Sequence, residues 1–245
     1  MTYTKALENS ARIATLAALV ATPIAGSTHP LTPAAGNVVA TAQAEKRETA
    51  DAAADLRGIL TIEGDTEAIA EGEKTGRAAT AAADQAVAMW PAVRASLAGN
   101  GAMANHLTAV DRSIVALRNE LGRHSDLRRD ANEVTGALAP LFAAAGHKVP
   151  SNIHRLDYLG RSITLDVKTG EWARAQRDSN MLASTWQAVR SRVIARPGGG
   201  AAAARYDRTV KTVSRGVDSR NAAVTLNATK ASGAGVDALE KVFGA

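Results

Sequence analysis

The sequence predicts an all-α protein made of tandem, duplicated up-down four-helix units, about eight helices in total. Three observations carry that prediction: an internal repeat, an alanine-rich and aromatic-poor composition, and apolar residues spaced three and four apart. The repeat is the most specific. Lys74-Thr75-Gly76, Ala79, Ala81 and Asp84 return as Lys168-Thr169-Gly170, Ala173, Ala175 and Asp178. Trp90-Pro91-Ala92-Val93-Arg94 returns as Trp186-Gln187-Ala188-Val189-Arg190, so ten of nineteen positions match over the two blocks. Self-similarity of this length marks a duplicated supersecondary unit.

Composition sets the class. Ala supplies roughly a fifth of the 245 residues, and aromatics only 3%. Small side chains bury little area each, so the core must come from helices approaching closely, and Ala is the best helix former. There is no Cys, which excludes disulfides, thiolate metal sites and a Cys nucleophile. The net charge of +5 points to an anionic partner only if it is concentrated. In sequence the basic residues look dispersed, and even the densest stretch, Arg118 to Arg129, carries Glu120 and Asp126.

Taken in order, the first element reads as an address. Lys5 and Arg12 precede an uncharged run from Ile13 to Ile24, followed by small residues, so residues 1–27 fit a secretory signal. The expected setting is secreted or periplasmic, or cytoplasmic if that segment is not a signal. Residues 28–41 read as a linker. The first helical repeat is then 42–146 and the second 151–245. No segment approaches the roughly 18–20 apolar residues that span a bilayer, so the mature chain is not expected to cross one.

Within the repeats the spacing predicts helices over about 42–73, 76–98, 102–123, 126–145, 151–168, 170–194, 201–218 and 220–243. The stripes are explicit: Met103, Leu107, Val110, Ile114, Leu117 and Leu121 in one helix, Ala175, Ser179, Leu182, Trp186, Val189 and Val193 in another. Asp126 and Asn221 stand where the fourth helix of each copy should start, and short oxygen-bearing side chains cap free first-turn N–H groups. Pro91 should kink its helix or begin a new one. Gly233 and Gly235 suggest a similar break near the end.

Motifs that carry chemistry are few. Gly72-Glu73-Lys74-Thr75 lacks the strand and glycine cradle of a phosphate-binding loop, and Lys-Thr-Gly without Ser-x-x-Lys excludes a β-lactamase set. The tripeptide reads as a helix–helix corner. No Gly-x-Ser-x-Gly or Ser–His–Asp framework occurs, so the chain is not expected to be an enzyme, and no cofactor is expected. Trp90, Trp186, Trp172 and Tyr206 are the candidates to wall a ligand pocket, although Trp90 and Trp186 lie on apolar seams. Asp84 with Asp178, and Asn132 with Asn227, are candidate inherited polar contacts. For metal, bundle cores draw ligands from facing helices. The weak candidates are His106 with Asp111, and His147 and His154 near Asp157.

Tandem four-helix units in an exported chain resemble, in architecture, the imelysin-like proteins of iron acquisition. Their Gly-x-His-x-x-Glu motif is absent, so no residue is carried over. The sequence thus leads to a non-enzymatic exported bundle that binds a small ligand or protein partner through grooves between helices. The alternatives are an intracellular basic protein that binds nucleic acid or another acidic partner, and a metal-binding bundle of iron-uptake type.

Overall fold

A computed structural model describes the backbone of residues 35–99, 101–123 and 126–244, and the side chains from residue 53 onward with the same gaps. The proposed signal peptide lies outside the described residues. Among the described residues there are eight α-helices in chain order: α1 (Ala35–Glu71), α2 (Gly76–Leu97), α3 (Ala104–Arg123), α4 (Arg128–Ala144), α5 (Ser151–Lys168), α6 (Trp172–Ile194), α7 (Gly199–Asp218) and α8 (Ala222–Val242). A single 3-10 turn, Gly101–Met103, leads into α3, and no strand occurs among the described residues. The helix begins at Ala35, so part of the stretch read as linker is helical. No proline follows Pro33 until Pro91, and nothing in Ala35 to Ala44 stops a helix. The chain divides into two compact units at Glu48/Thr49, and the second, Thr49–Ala245, contains both cores and every site described below.

The buried apolar residues gather into two hydrophobic cores. One gathers Ile59, Ile62 and Ile69 of α1 with Trp90, Leu107, Val134, Leu138 and Phe142 of the next three helices. The other gathers Ile153, Leu156 and Ile163 of α5 with Trp186, Tyr206, Val213 and Leu239. In the second repeat α5 lies against both α6 and α8, and α7 bridges those two, which closes a four-helix ring. The helix α5 also packs on α4, the last helix of the first repeat. It is therefore enveloped on several sides, and buries His154, Arg161, Ser162 and Asp166 along with its apolar residues.

The corners explain the Lys-Thr-Gly repeat. In the second copy Lys168 ends α5, and Gly170 takes a left-handed φ of 76° that lets Glu171 N–H close back on the Asp166 carbonyl. Only glycine adopts that φ without steric cost. In the first copy Gly72, at φ 83°, ends α1, while Lys74 donates to Asp65 at 2.7 Å and Thr75 precedes α2. The same tripeptide thus sits at the end of one helix and the start of another. Core positions shift accordingly. They repeat at a spacing of 94 between α1 and α5 (Ile59/Ile153, Ile62/Leu156, Ile69/Ile163), and at 96 between α2 and α6 (Ala79/Ala175, Trp90/Trp186, Val93/Val189).

Pro91 lies inside a single helix, α2, so no new helix begins there, and Gly233 and Gly235 lie inside α8 without the expected break. Gly235 has a packing reason, because a Cβ there would lie 2.8 Å from the Tyr206 ring. Asn221 caps α8 as expected, Oδ1 accepting from Val224 N–H at 3.0 Å, but Leu127 and not Asp126 stands at the N-cap of α4, so Asp126 Oδ1 instead accepts from Arg128 N–H at 3.1 Å from one residue further out. Gly136 sets the approach of α4 to α5, since a Cβ would fall 2.7 Å from the Tyr158 ring. Gly136→Ala is therefore expected to lower stability by about 1–3 kcal/mol despite its better helix propensity, because overpacking dominates. Urea unfolding would read the loss.

Candidate functional site

The matched tryptophans turn out to be parts of a repeated clamp. Trp90 Nε1 donates to Asp111 Oδ1 at 2.8 Å, and Arg94 Nε reaches the same carboxylate at 2.9 Å. In the second copy Trp186 Nε1 donates to Asp207 Oδ1 at 2.7 Å, with Arg190 Nη2 2.8 Å from Oδ2. A buried indole needs a partner for its N–H, and here one carboxylate serves both the indole and a guanidinium. The Arg190 hydrogen bond, joined by Trp186, holds Asp207 below the usual carboxylate range. Asp111 is committed to this contact, while His106 sits half-buried elsewhere on α3.

Both tryptophans are therefore core. Trp186 packs tilted against Tyr206 with ring centroids 4.8 Å apart, and Tyr206 Oη shares a hydrogen bond with Ser232 at 2.9 Å. Trp172 is half-buried at the start of α6, packed on the second core. The proposed inherited contacts separate. Asp84 is exposed, and the 96-residue register of α2 and α6 puts it opposite Asn180 instead of Asp178. Asp178 faces Asp166 and Glu133, and burial followed by those two charges pushes its carboxyl up to about 6. Asn132 does bond across helices, donating to Ser162 Oγ at 2.9 Å and accepting from Arg161 Nε at 3.0 Å. Asn227 is exposed, because the apolar stripe of α8 runs through Thr225, Ala228, Ser232 and Val236 and leaves position 227 on the outer face.

Where the two repeats meet, the interior is polar. Arg161 of α5 is almost wholly buried, and bonds Asp157, Glu67 Oε1 at 2.9 Å and Asn132, with Glu71 at 3.6 Å. Burial alone would lower its pKa, but Asp157, Glu67, Glu71 and Glu63 raise it instead. Beside it runs a chain: Glu63 Oε1 lies 3.1 Å from His154 Nδ1, and His154 Nε2 lies 3.1 Å from His147 Nδ1. Phe142 stacks on His154 at 3.9 Å. So His147 and His154 do come together, but Asp157 turns to Arg161. No group of three or more His, Asp or Glu among the described residues is arranged to hold a metal ion.

Two of the concave surfaces open to solvent bear on a binding site. One, about 380 Å³, lies at the α1–α2 corner against Leu121, Leu127 and Arg128. The larger, about 650 Å³, is a groove between α6 and α7 lined by Ala183, Gln187, Val210, Lys211, Ser214 and Arg215, with Asp218 and Ser219 beyond them. The charge around it is not dispersed. From Lys168 to Arg220 the chain carries eleven Lys or Arg against four Asp or Glu. Of these cations Arg174, Arg192, Arg205, Arg208, Lys211 and Arg215 are exposed, and none makes an ion pair among the described residues. Arg208, Lys211 and Arg215 are spaced at three- and four-residue intervals, so they share one stripe of α7.

Sequence reasoning missed both Arg161 and the groove. The signal for Arg161 was a long charged residue among Leu159, Gly160, Ser162 and Ile163 in a helix apolar on more than one side. The signal for the groove was the charge count taken over α6 and α7 alone. No helix among the described residues is long and apolar enough to cross a membrane. No protein-family model, curated protein or solved structure matches this chain.

Proposed function

We propose that the protein is a non-enzymatic, exported binding protein whose α6–α7 groove takes an acidic segment of a protein partner. One observation carries this reading: the groove joins an apolar floor, Ala183 and Val210, to two exposed cations, Lys211 and Arg215, against a single lining carboxylate, Asp218. An amphipathic helix with carboxylates beside its apolar stripe fits such a surface, with the charges steering encounter and the floor supplying burial. The Trp186–Asp207–Arg190 clamp joins the same two helices and keeps their spacing fixed. Export rests on the Lys5–Ile24 pattern, and N-terminal sequencing of the natural product checks it.

The excess of cations between Lys168 and Arg220 also favours a second reading, binding to nucleic acid. Among the described residues, however, no Trp, Tyr or Phe ring is exposed, which removes the stacking platform of single-strand binders. A photo-crosslinking residue placed at Gln187, with one at Arg118 on α3 as control, separates the readings in cells of the natural source. A protein adduct specific to position 187 supports the proposal, and a nucleic-acid adduct there replaces it with the second reading. Equal adducts at both positions refute the groove as the site. Reversing both Lys211 and Arg215 to Glu is expected to weaken the interaction about tenfold or more at low salt. Surface substitutions of this kind should leave folding stability within about 0.5 kcal/mol.

A further inference from the structure

We propose that the junction between the repeats is a proton-operated latch: the Glu63–His154–His147 chain and the carboxylates around Arg161 hold residues 55–71 of α1 on α5 while they share protons, and the hold slackens when those protons leave. The geometry comes first. Three α1 carboxylates, Glu63, Glu67 and Glu71, repeat every fourth residue and so lie on one stripe. Each is tied to α5, Glu63 through His154 and the other two through Arg161. These ion pairs are polar straps on a segment whose other side inserts Ile59, Ile62 and Ile69 into the first core.

The charges do not balance unless protons are present. Facing Arg161 are Asp157 on its own helix, Glu63, Glu67 and Glu71 from α1, and the neutral Asn132 and Thr135 from α4. Facing His154 are Glu63 from α1, Asp157 from α5, Glu240 from α8, and His147 and Phe142 from the α4 side. Around Glu240 stand His154, Glu63, Asp157 and Asp237. With every carboxylate ionised and both imidazoles neutral, Arg161 alone opposes Glu63, Glu67, Glu71, Asp157 and Glu240. A proton on Glu67 and a second proton on His154 remove half of that excess. The hydrogen bonds are consistent with such a state: a doubly protonated His154 donates to Glu63 through Nδ1 and to a neutral His147 through Nε2.

The directions of the shifts agree with this placement. Burial raises Glu67 from 4.5 to about 9, with Arg161 opposing and Asp157, Glu63 and Glu71 reinforcing. Burial likewise raises Glu240 to about 7, with His154 opposing. Burial alone would lower His154, but Glu63, Glu240 and Asp157 raise it, whereas burial and the His154 charge lower His147. Groups with raised values hold more protons in the docked state than in the released one, so docking weakens as pH rises. For Glu67 the window runs from about 4.5 to about 9, and for Glu240 it closes near 7. His154 adds hold below 6.5 that is lost as pH climbs through its raised value, and only His147 acts in the opposite sense. The latch is therefore tightest in mildly acidic solution and opens towards alkaline pH.

Hydrogen exchange on the full chain, corrected for the intrinsic pH dependence of amide exchange, tests this. Between about pH 6 and pH 9, protection in residues 55–71 is expected to fall roughly tenfold, while that of α6 and α7 changes much less. Glu67→Gln keeps the hydrogen bond to Arg161 but cannot ionise, so α1 should stay protected at both values. Glu240→Gln should flatten the lower part of the same profile, and decides the matter if Glu67→Gln does not fold. Unchanged protection of residues 55–71 overturns the latch. So does an equal loss in α6 and α7, which would be global unfolding, or full pH dependence persisting in the folded variants.

Discussion

Replacing Arg161 by Met is expected to cost roughly 3–5 kcal/mol of folding stability, because it strands buried carboxylates that the guanidinium now neutralises. Asp157 and Glu67 each lose a hydrogen-bond donor, and Asn132 Oδ1 loses its bond to Arg161 Nε. For a domain of about 150–250 residues that corresponds to a fall in Tm of about 6–20 °C. The deficit should be pH-dependent in a set direction. Carboxylates left without a cation can take up protons instead, so the loss is smaller near pH 5 than near pH 8. A double variant that also carries Asp157→Asn should recover part of the stability, since Asp157 is the carboxylate that bonds Arg161 from its own helix and would be left without it. Calorimetry across pH measures all three, and a loss independent of pH would show that Arg161 acts by packing alone.

Trp186→Ala is expected to cost about 3–5 kcal/mol, the range for truncating a buried aromatic side chain. It removes a fully buried ring, its contact with Tyr206 and the indole donor to Asp207. Trp90→Ala, the equivalent change in the first copy, should cost less. Trp90 is slightly more exposed and has no aromatic neighbour of that kind among the described residues, and Val110 occupies the place of Tyr206 at the 96-residue spacing. Trp186→Phe separates the two contributions, because it keeps most of the volume but leaves Asp207 to Arg190 alone, at a cost of about 1 kcal/mol. Urea midpoints of the three variants decide the order. Equal losses at both tryptophans would mean that the clamp, common to both copies, outweighs the ring packing that differs.

Much of the fold was legible in the sequence because helical spacing is a local property. Trp186, Val189 and Val193 mark a buried stripe whatever surrounds them, and Asn221 marks a helix start by its own side chain. Register between the copies was less legible. The longest run of identity, Lys-Thr-Gly, lies at a corner where the two copies are joined differently, so Asp84 and Asp178 look equivalent and are not. Pro91 and Gly235 look like breaks to local propensity, which carries no information about the packing that overrides it. The polar junction was the hardest to foresee. It depends on which face of α5 meets α1, and a sequence shows that Arg161 interrupts an apolar neighbourhood without showing what answers it. Asp111 and Asp207 could have been found, because both stand twenty-one residues after the matched tryptophan.

The 94-residue register of α1 and α5 gives the Arg161 contact a further meaning. Glu67 and Arg161 occupy the same position in their respective copies, and in the folded chain they bond each other. Were either half to pair with a second molecule of itself through this face, Arg161 would meet Arg161, or Glu67 would meet Glu67. Two guanidiniums in so dry a place repel strongly, and two Glu67 side chains would lack the donor that each now has in Arg161. The contact therefore works as a lock between unlike halves: each repeat accepts the other half of its own chain and rejects its twin.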